Sequence, residues 1–169
     1  MDAAAIQQRM QQAFGAAVGP VEAGRLESWI EVDPDRIDAV GELLKSDSDL
    51  RFDCLSNLSG VDYPGKGFIQ VVYNLFSYEH RHELTLKVNT KREQPVIKTV
   101  EHVWPAANWM EREVFDLLGV HFDGHTDLRR ILLPDDWIGY PLRKDYVEAP
   151  EYHGISTIRE SMLDIPGRS

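Results

Sequence analysis

The sequence FIQVVYNLFSYEHRHELTLKVN, residues 68–89, contains two strand patterns joined by a short polar turn. The first, Phe68–Phe76, is rich in the β-branched and aromatic residues that favour strands. In the second, His82–Asn89, polar residues alternate with apolar ones at Leu84, Leu86 and Val88. Such alternation places one face of a strand on a core and leaves the other in water. The stretch therefore predicts an antiparallel hairpin at the centre of a sheet.

The residues before the hairpin predict helices around one strand. An apolar stripe over residues 6–14 predicts a first helix, ended by Gly15 and Gly19-Pro20. Residues 25–32 predict a strand whose inward positions are Leu26, Trp29 or Ile30, and Val32. Asp33-Pro34-Asp35 predicts the start of a second helix that reaches Ser46. Leu50–Val61 is apolar, but its period fits a helix and a strand equally.

After the hairpin, the pattern returns to helices. Residues 62–65 predict a turn and residues 95–103 a short helix. A longer helix around the motif Glu111-Arg112-Glu113 has apolar residues at three- and four-residue spacing, and Gly119 stands where a C-cap is expected. Glu111, Arg112 and Asp116 fall on the side opposite that apolar face. The apolar positions are Ala107, Met110, Val114, Leu117 and Leu118.

The C-terminal third has a different character. From His121 to Tyr146 it has no sustained periodicity, yet it is dense in Trp, Tyr, Arg, Asp, Pro and Gly. A linker of this length is normally bland and polar. We therefore predict a core domain over residues 1–119 and an extended arm and tail over residues 120–169. The order of elements predicts an α+β fold of two layers, with an antiparallel or mixed sheet covered by helices.

Composition excludes several classes of function. A net charge of −10 and a pI near 5.0 argue against a general binder of nucleic acid or anionic membranes. One cysteine excludes an internal disulfide and an iron–sulfur cluster held by four thiolates of this chain. No apolar run reaches the length of a membrane span. The N-terminal residues MDAAAIQQRM have neither the basic nor the apolar region of a secretory signal, so we expect none.

Two clusters could carry chemistry. Glu111, Glu113 and Asp116 are three carboxylates within two helical turns, a grouping that can perform acid–base catalysis but more often forms a structural network with a cation. The pairs His80/His82 and His121/His125 could each contribute to a metal site, although neither completes a ligand set. Dinucleotide- and phosphate-binding glycine motifs are absent from the sequence. An independent small enzyme is therefore the weaker of two hypotheses.

Charged residues in the arm suggest fixed ion pairs. Arg129-Arg130 and Arg143-Lys144 alternate with aspartates at positions 127, 135, 136 and 145. This pattern suits ion pairs within a fixed path or across an interface. We also predict that Arg112 is largely buried and paired with a carboxylate, either Asp116 or one from the following loop.

The helix and the arm share an ordered pattern. Glu111-Arg112-Glu113 precedes Asp116 and two leucines; six residues then separate the second leucine from His125, and three residues separate His125 from Arg129. The pattern resembles one family of bacterial NADH–quinone oxidoreductase subunits, the counterparts of the 30 kDa subunit of respiratory complex I. The resemblance continues through LRRIL (128–132), PDDW (134–137) and GYPLRKDY (139–146), with GVDYP (60–64) and WPAANW (104–109) upstream.

The resemblance implies a subunit in the peripheral arm of a redox complex that moves electrons from NADH through flavin and iron–sulfur clusters to quinone and translocates protons. Members of the family carry no flavin, cluster or catalytic residue, so we expect none here. The implied partners are the quinone-site large subunit and the cluster-bearing subunits, on the cytoplasmic side of the bacterial inner membrane. Related complexes use cofactor F420, ferredoxin or hydrogenase-linked donors, and this sequence does not separate these.

We predict that the arm binds along a partner subunit, with Trp137 and Arg143 as anchors and Asp145 as an ion-pair partner, because aromatic and arginine side chains are the usual interface anchors. The competing prediction is that the arm folds back over its own sheet. The residues expected to serve assembly are Glu111, Arg112, Glu113, Asp116, His125, Arg129, Trp137, Arg143, Lys144 and Asp145.

Overall fold

A computed structural model describes residues 2–24 and 28–158. The helices are α1 (Ala3–Phe14), α2 (Ile37–Ser46) and α3 (Ala107–Leu118). The long strands are β1 (Val18–Ala23), β2 (Ser28–Val32), β3 (Cys54–Tyr63), β4 (Phe68–Ser77) and β5 (His82–Lys91). The short strands are β6 (Val96–Lys98), β7 (His121–Asp123), β8 (Glu151–Tyr152) and β9 (Ile155–Ser156).

The five long strands form one mixed sheet in the order β1-β2-β5-β4-β3. The hairpin β4–β5 pairs from Phe68 with Lys91 to Ser77 with His82, which puts β5 in the middle of the sheet as predicted. Neighbouring strands are antiparallel except β2 and β5, which run parallel. The predicted α+β class with a mixed sheet is confirmed.

The core lies on one face of this sheet. Leu84, Leu86 and Val88 of β5 point into it as predicted. Val120 and Phe122 are also buried in the core, although they follow the boundary predicted at residue 119. They are held there because β7 pairs in parallel with β6.

The start of α2 differs from the prediction, which placed the helix start at Asp33-Pro34-Asp35. The helix begins at Ile37 instead. The Asp33 carboxylate accepts a hydrogen bond from the Asp35 amide at 2.9 Å, and the Asp33 carbonyl accepts one from Arg36 at 3.0 Å. Aspartate therefore closes a local turn here, an alternative that its short side chain offers to the backbone.

Two further segments form strands where the sequence predicted a helix end and a helix, because they pair with other strands. Gly19-Pro20, predicted to end the first helix, lies within β1. Residues 95–103, predicted as a short helix, contain β6 followed by a turn. The Thr90 hydroxyl bonds both backbone groups of Val96 at 3.0 Å, and β7 supplies the ladder, so distant residues impose the strand.

The ambiguous run Leu50–Val61 supplies most of β3. In the strand predicted over residues 25–32, Ile30 and Val32 face the core, whereas Trp29 is only half-buried. Positions 25–27, which include the predicted inward Leu26, lie outside the described residues.

Helix α3 is buried on more sides than its apolar face. Ala107, Val114 and Leu118 pack into the core as predicted. The prediction that Glu111, Arg112 and Asp116 form the opposite, polar side was incomplete, because all three are buried as well. Their charges meet partners supplied by the arm and by the loop before the helix.

Gly119 ends α3 in the left-handed conformation, with φ +77°, as the sequence predicted. A β-carbon there would lie only 2.5 Å from the Tyr140 ring. Gly119→Ala is therefore expected to lower the free energy of unfolding by about 2 kcal/mol or more, combining the left-handed penalty with displacement of the ring. Urea denaturation measures this. The control is Gly65→Ala, where a β-carbon meets no neighbour, and equal losses in both variants would contradict the prediction.

Candidate functional site

The arm, defined here as residues 124–158, lies against α3 and β3. Its backbone is irregular until β8. Exposed or buried, its amides and carbonyls need hydrogen-bond partners. Side chains of α3 and of the neighbouring loops supply many of them, and these contacts use most of the residues in the family-like pattern.

Asp116 is the central contact between α3 and the arm. Its side chain is fully buried, and its Oδ2 accepts the amides of Ile131, Leu132 and Leu133 at 3.1, 2.8 and 2.9 Å. Its Oδ1 accepts Arg130 Nη1 at 2.9 Å. Burial opposes ionisation, but the three amides and the guanidinium together lower the pKa of Asp116. One carboxylate thus fixes three consecutive residues of the arm.

Arg112 holds the residues just before them. It is 7% exposed, so the prediction of burial is confirmed. Its guanidinium donates to the carbonyls of Arg129 and Arg130 at 3.2 and 3.3 Å and lies 5.1 Å from the Trp109 ring. The predicted carboxylate partner was wrong. The Asp116 carboxylate accepts backbone amides and Arg130 instead. Within the described residues, Arg112 therefore donates to peptide carbonyls and not to a carboxylate.

Arg112→Ala is expected to lower the free energy of unfolding of the chain by about 2 kcal/mol, since hydrogen bonds from a charged donor contribute about 1.5–3 kcal/mol. Thermal unfolding of the purified chain measures the loss as a lower melting temperature. Arg129→Ala is a suitable control, because Arg129 is exposed and forms an ion pair with Asp127, which is exposed too. An unchanged melting temperature combined with failed assembly would make Arg112 an interface residue instead.

Glu111 points into the core side of the same helix. Its carboxylate accepts the Thr99 hydroxyl at 2.5 Å and the Val100 amide at 2.8 Å. Burial raises the pKa of Glu111 to about 7, against the two hydrogen bonds. The Tyr73 hydroxyl is buried and has no hydrogen-bond partner in the part of the chain that the structure describes. Burial, reinforced by Glu111, raises the pKa of Tyr73 well above the usual value.

His125 of the arm contacts α3 and the loop before it. Its Nδ1 accepts the amide of Asp127 at 3.0 Å, which leaves Nε2 to carry the ring proton. Nε2 lies 3.2 Å from the Asn108 carbonyl and 3.4 Å from Glu101. Glu101 also accepts the Thr126 amide and the Asn108 side chain, each at 2.6 Å. The sequence singled out His125 but missed Glu101, which stands in no recognisable pattern.

A second buried carboxylate holds a later part of the arm. Asp62 of β3 accepts Arg92 at 2.7 and 3.0 Å and the Lys144 amide at 2.9 Å. The Arg92 guanidinium, followed by the Lys144 amide, lowers the pKa of Asp62 against burial. Arg92 also bonds Asp145 at 2.5 Å. Sequence reasoning missed Arg92, which is 30 residues from Asp62 and 53 from Asp145.

The end of α3 is closed by the same part of the arm. Arg143 Nε donates to the Leu118 carbonyl at 2.8 Å, and the Leu142 amide donates to the Leu117 carbonyl at 3.1 Å. The last carbonyls of a helix lack internal partners and attract cations. Arg143 also stacks over Tyr140 at 4.8 Å. Arg143 and Asp145 therefore act within this chain, as the competing prediction of a folded-back arm expects.

The other predicted assembly residues are more exposed. Glu113 and Arg129 face solvent, and Lys144 contributes its amide to Asp62. Trp137 packs against Tyr152 with ring centroids 5.3 Å apart. Their roles in assembly stay predictions.

The pair His80/His82 occupies structural positions. His80 and His82 place a ring nitrogen 2.9 and 2.7 Å from the carbonyls of Ser48 and Leu50. In residues 2–24 and 28–158, no group of three or more His, Cys, Asp or Glu side chains is arranged to hold a metal ion. Within the same described ranges, no helix is long and apolar enough to span a membrane.

The arm exposes several large apolar side chains among its charged ones. Large hydrophobic side chains that are more than half exposed occur along it at Leu132, Ile138, Leu142, Val147, Ile155 and Ile158. Exposed apolar surface of this kind is available for contact with a partner. The arm is therefore fixed from inside by polar bonds and available outside for contact.

Comparison with known proteins identifies the family of the chain. Residues 30–152 match the family model described as respiratory-chain NADH dehydrogenase, 30 Kd subunit. An NADH-quinone oxidoreductase subunit of Chloroherpeton thalassium is 45% identical over 86% of this chain, which spans 61% of that protein. The corresponding Salinispora tropica protein is 44% identical over 79% of this chain, which spans 56% of it. The Chlorobium phaeobacteroides protein is 40% identical, with 86% of this chain matching 89% of its length.

Two solved structures share the fold. A chain of the membrane-bound sulfane sulfur reductase, an archaeal respiratory membrane complex, superposes with TM-score 0.69 at 26% identity, covering 85% of this chain and 84% of that one. A trypsin-resistant fragment of Nqo5 superposes with TM-score 0.58 at 28% identity, covering 73% of this chain and 98% of the fragment. The matched family model extends over most of the sequence, and this chain belongs to the family of the respiratory-chain NADH dehydrogenase 30 kDa subunit.

Proposed function

We propose that this chain is a structural subunit in the peripheral arm of a respiratory NADH:quinone oxidoreductase. In this role it holds neighbouring subunits in place while electrons pass from NADH to quinone and protons are translocated. The flavin and the iron–sulfur clusters belong to partner subunits, and this chain carries no cofactor or catalytic residue. The name shared by its relatives, which are subunits of NADH-quinone oxidoreductase, supports the assignment.

The observation that carries the proposal is the two-sided arm. On its inner side, the path of the arm is fixed by hydrogen bonds to the side chains of Asp116, Arg112 and Asp62. On the outside, six large apolar side chains are more than half exposed. An arm held rigid before binding loses little conformational entropy on docking, which favours a stable interface. We infer that its outer side binds the quinone-site large subunit and adjoining cluster-bearing subunits.

The location follows from the same role. A subunit that supports the path from NADH to quinone lies in the peripheral arm, on the cytoplasmic side of the bacterial inner membrane, and is attached to the membrane through its partners. This placement rests on the family resemblance and on the exposed apolar side chains of the arm.

A related complex with another electron donor is the second candidate. The similarity to a chain of the sulfane sulfur reductase supports it, because that fold serves a different respiratory membrane complex. Identity is 26% with that chain but 40–45% with several NADH-quinone oxidoreductase subunits, so the NADH-dependent complex is favoured. An independent enzyme is disfavoured because buried Glu111 and Asp116 bond the chain's own hydroxyl, amides and guanidinium.

Co-purification tests the proposal. The chain, carrying an affinity tag, is purified from native membranes in mild detergent, and the partners are identified by mass spectrometry. We expect flavin- and cluster-bearing subunits together with NADH:quinone reductase activity, whereas the isolated chain binds neither flavin nor iron. Recovery with a complex that does not oxidise NADH would favour the second candidate. Turnover or stoichiometric metal in the isolated chain would overturn the structural role.

A further inference from the structure

The end of the arm folds into a small closed hairpin. Strands β8 and β9 pair through Glu151 and Ser156, and the Thr157 amide donates to the Pro150 carbonyl at 3.0 Å. Asp136 fastens this hairpin to the preceding part of the arm. Its carboxylate accepts the Tyr152 hydroxyl at 2.9 Å and lies 2.7 Å from His153 Nε2. The hairpin is thus held in place rather than trailing into solvent.

Two adjoining cavities open between the hairpin and the residues that it covers. One has a volume of about 70 Å³ and the other about 260 Å³. Trp137, Tyr152, Glu148 and Thr157 line both, so the cavities form one groove that follows the Trp137 and Tyr152 rings, which contact each other at an interplanar angle of 50°. The groove is large enough for one extended side chain and its neighbouring backbone.

The groove combines aromatic walls with an acidic rim. Glu148 and Glu151 line it and are exposed, and in the described part of the chain neither carboxylate forms an ion pair. Asp136 lies beside them but is occupied by Tyr152 and His153. The Trp137 indole N–H is buried and finds no acceptor among the described residues, which is a costly state for a donor. The packing of the groove is therefore incomplete in the free chain.

We propose that this groove receives a basic side chain, arginine or lysine, from a partner subunit. The proposal rests on the proposed function, because it requires a partner along the arm. A basic side chain has an apolar stem that suits aromatic walls and a cationic head that suits the rim. Cations over Trp or Tyr rings gain about 0.5–2 kcal/mol, more as water is excluded. The backbone that carries this side chain brings carbonyl groups, and one of them can accept the Trp137 indole N–H.

Charge excludes the alternatives. An acidic side chain would meet Glu148 and Glu151, and like charges brought together at an interface are repelled. A purely apolar side chain would cover the two carboxylates without pairing them, which burial penalises. A basic side chain satisfies the rings and the carboxylates together.

Photo-crosslinking in the assembled complex identifies the occupant. A photoreactive phenylalanine analogue replaces Ile155, which is 71% exposed and lines the larger cavity, and the complex is irradiated after purification from native membranes. We expect a crosslinked peptide from another subunit with an arginine or lysine beside the attachment point. Crosslinks to residues 159–169 of this chain, or to a partner segment with no basic residue nearby, would overturn the proposal.

Charge removal gives the quantitative test. In Glu148→Gln/Glu151→Gln, the tagged chain is expected to dissociate from the detergent-solubilised complex about three to ten times faster, because ion pairs and cation–π contacts of this kind act mainly on dissociation. The matched control is Glu22→Gln/Glu93→Gln, which removes two exposed carboxylates elsewhere. Equal dissociation rates would refute the groove as a basic-side-chain site while co-purification, tested separately, leaves the proposed function intact.

Discussion

Replacing Asp116 by alanine is expected to lower the free energy of unfolding by about 3–5 kcal/mol, the range for removing one partner of a buried ion pair. Asp116 is fully buried, and its loss leaves Arg130 without its carboxylate. The amides of residues 131–133 lose their common acceptor at the same time. Because this one carboxylate fixes so many groups of the arm, we expect the variant to release it.

Urea denaturation measures the stability of Asp116→Ala, and hydrogen exchange measures protection across residues 127–146. Asp127→Ala is the control, because its partner Arg129 is exposed and the pair should contribute little. Asp116→Asn removes the charge but keeps one acceptor oxygen, so an intermediate loss is expected. If exchange in the arm is as fast in the native chain as in Asp116→Ala, the arm is not fixed by this contact.

Glu111 is expected to make the stability of the chain fall as pH rises. Its folded-state pKa of about 7 lies above its ordinary value of 4.5, so the folded chain holds this proton more tightly than the unfolded chain. The corresponding stability is fully present below pH 4.5 and is lost as pH rises through about 7. The shift corresponds to about 3 kcal/mol. Asp116 and Asp62, whose folded-state pKa values are lowered, act oppositely and lose stability only as pH falls below the ordinary aspartate range.

Glu111→Gln isolates this contribution. The glutamine side chain keeps an oxygen that accepts the Val100 amide, and its NH2 group can donate to the Thr99 hydroxyl. The substitution removes the ionisable carboxyl group. Urea denaturation from about pH 4 to about pH 8 measures the free energy of unfolding of both proteins. As pH rises, the native chain should lose stability relative to Glu111→Gln. Glu113→Gln, on the exposed side of the same helix, should leave the pH profile unchanged. A pH-independent difference for Glu111→Gln would contradict the assignment.

Local sequence determined the elements whose pattern and burial agree. The β4–β5 hairpin follows from strict alternation, and α1 from its apolar stripe with Ile6 and Met10 fully buried. Helix α3 follows from the helical spacing of its apolar residues. Its end follows from Gly119, a glycine at the C-cap, where the left-handed conformation is favoured. Of the candidate site, the pattern around Glu111-Arg112-Glu113 was recognisable because its residues lie within one helix and the loop after it.

The sequence predicted the burial of Arg112, but only the tertiary structure decided that Glu111 and Asp116 are also inside and what the three charges bind. Periodicity places Asp116 and Arg112 on a polar side of α3, and nothing local shows that the arm will cover that side with its own amides and carbonyls. Strand β6 exists because β7 pairs with it, and Arg92 reaches Asp62 and Asp145 across 30 and 53 residues. Spacing along the chain predicts contacts within a few residues. A buried charge depends instead on which distant backbone groups arrive beside it, because only they can replace the water that folding removes.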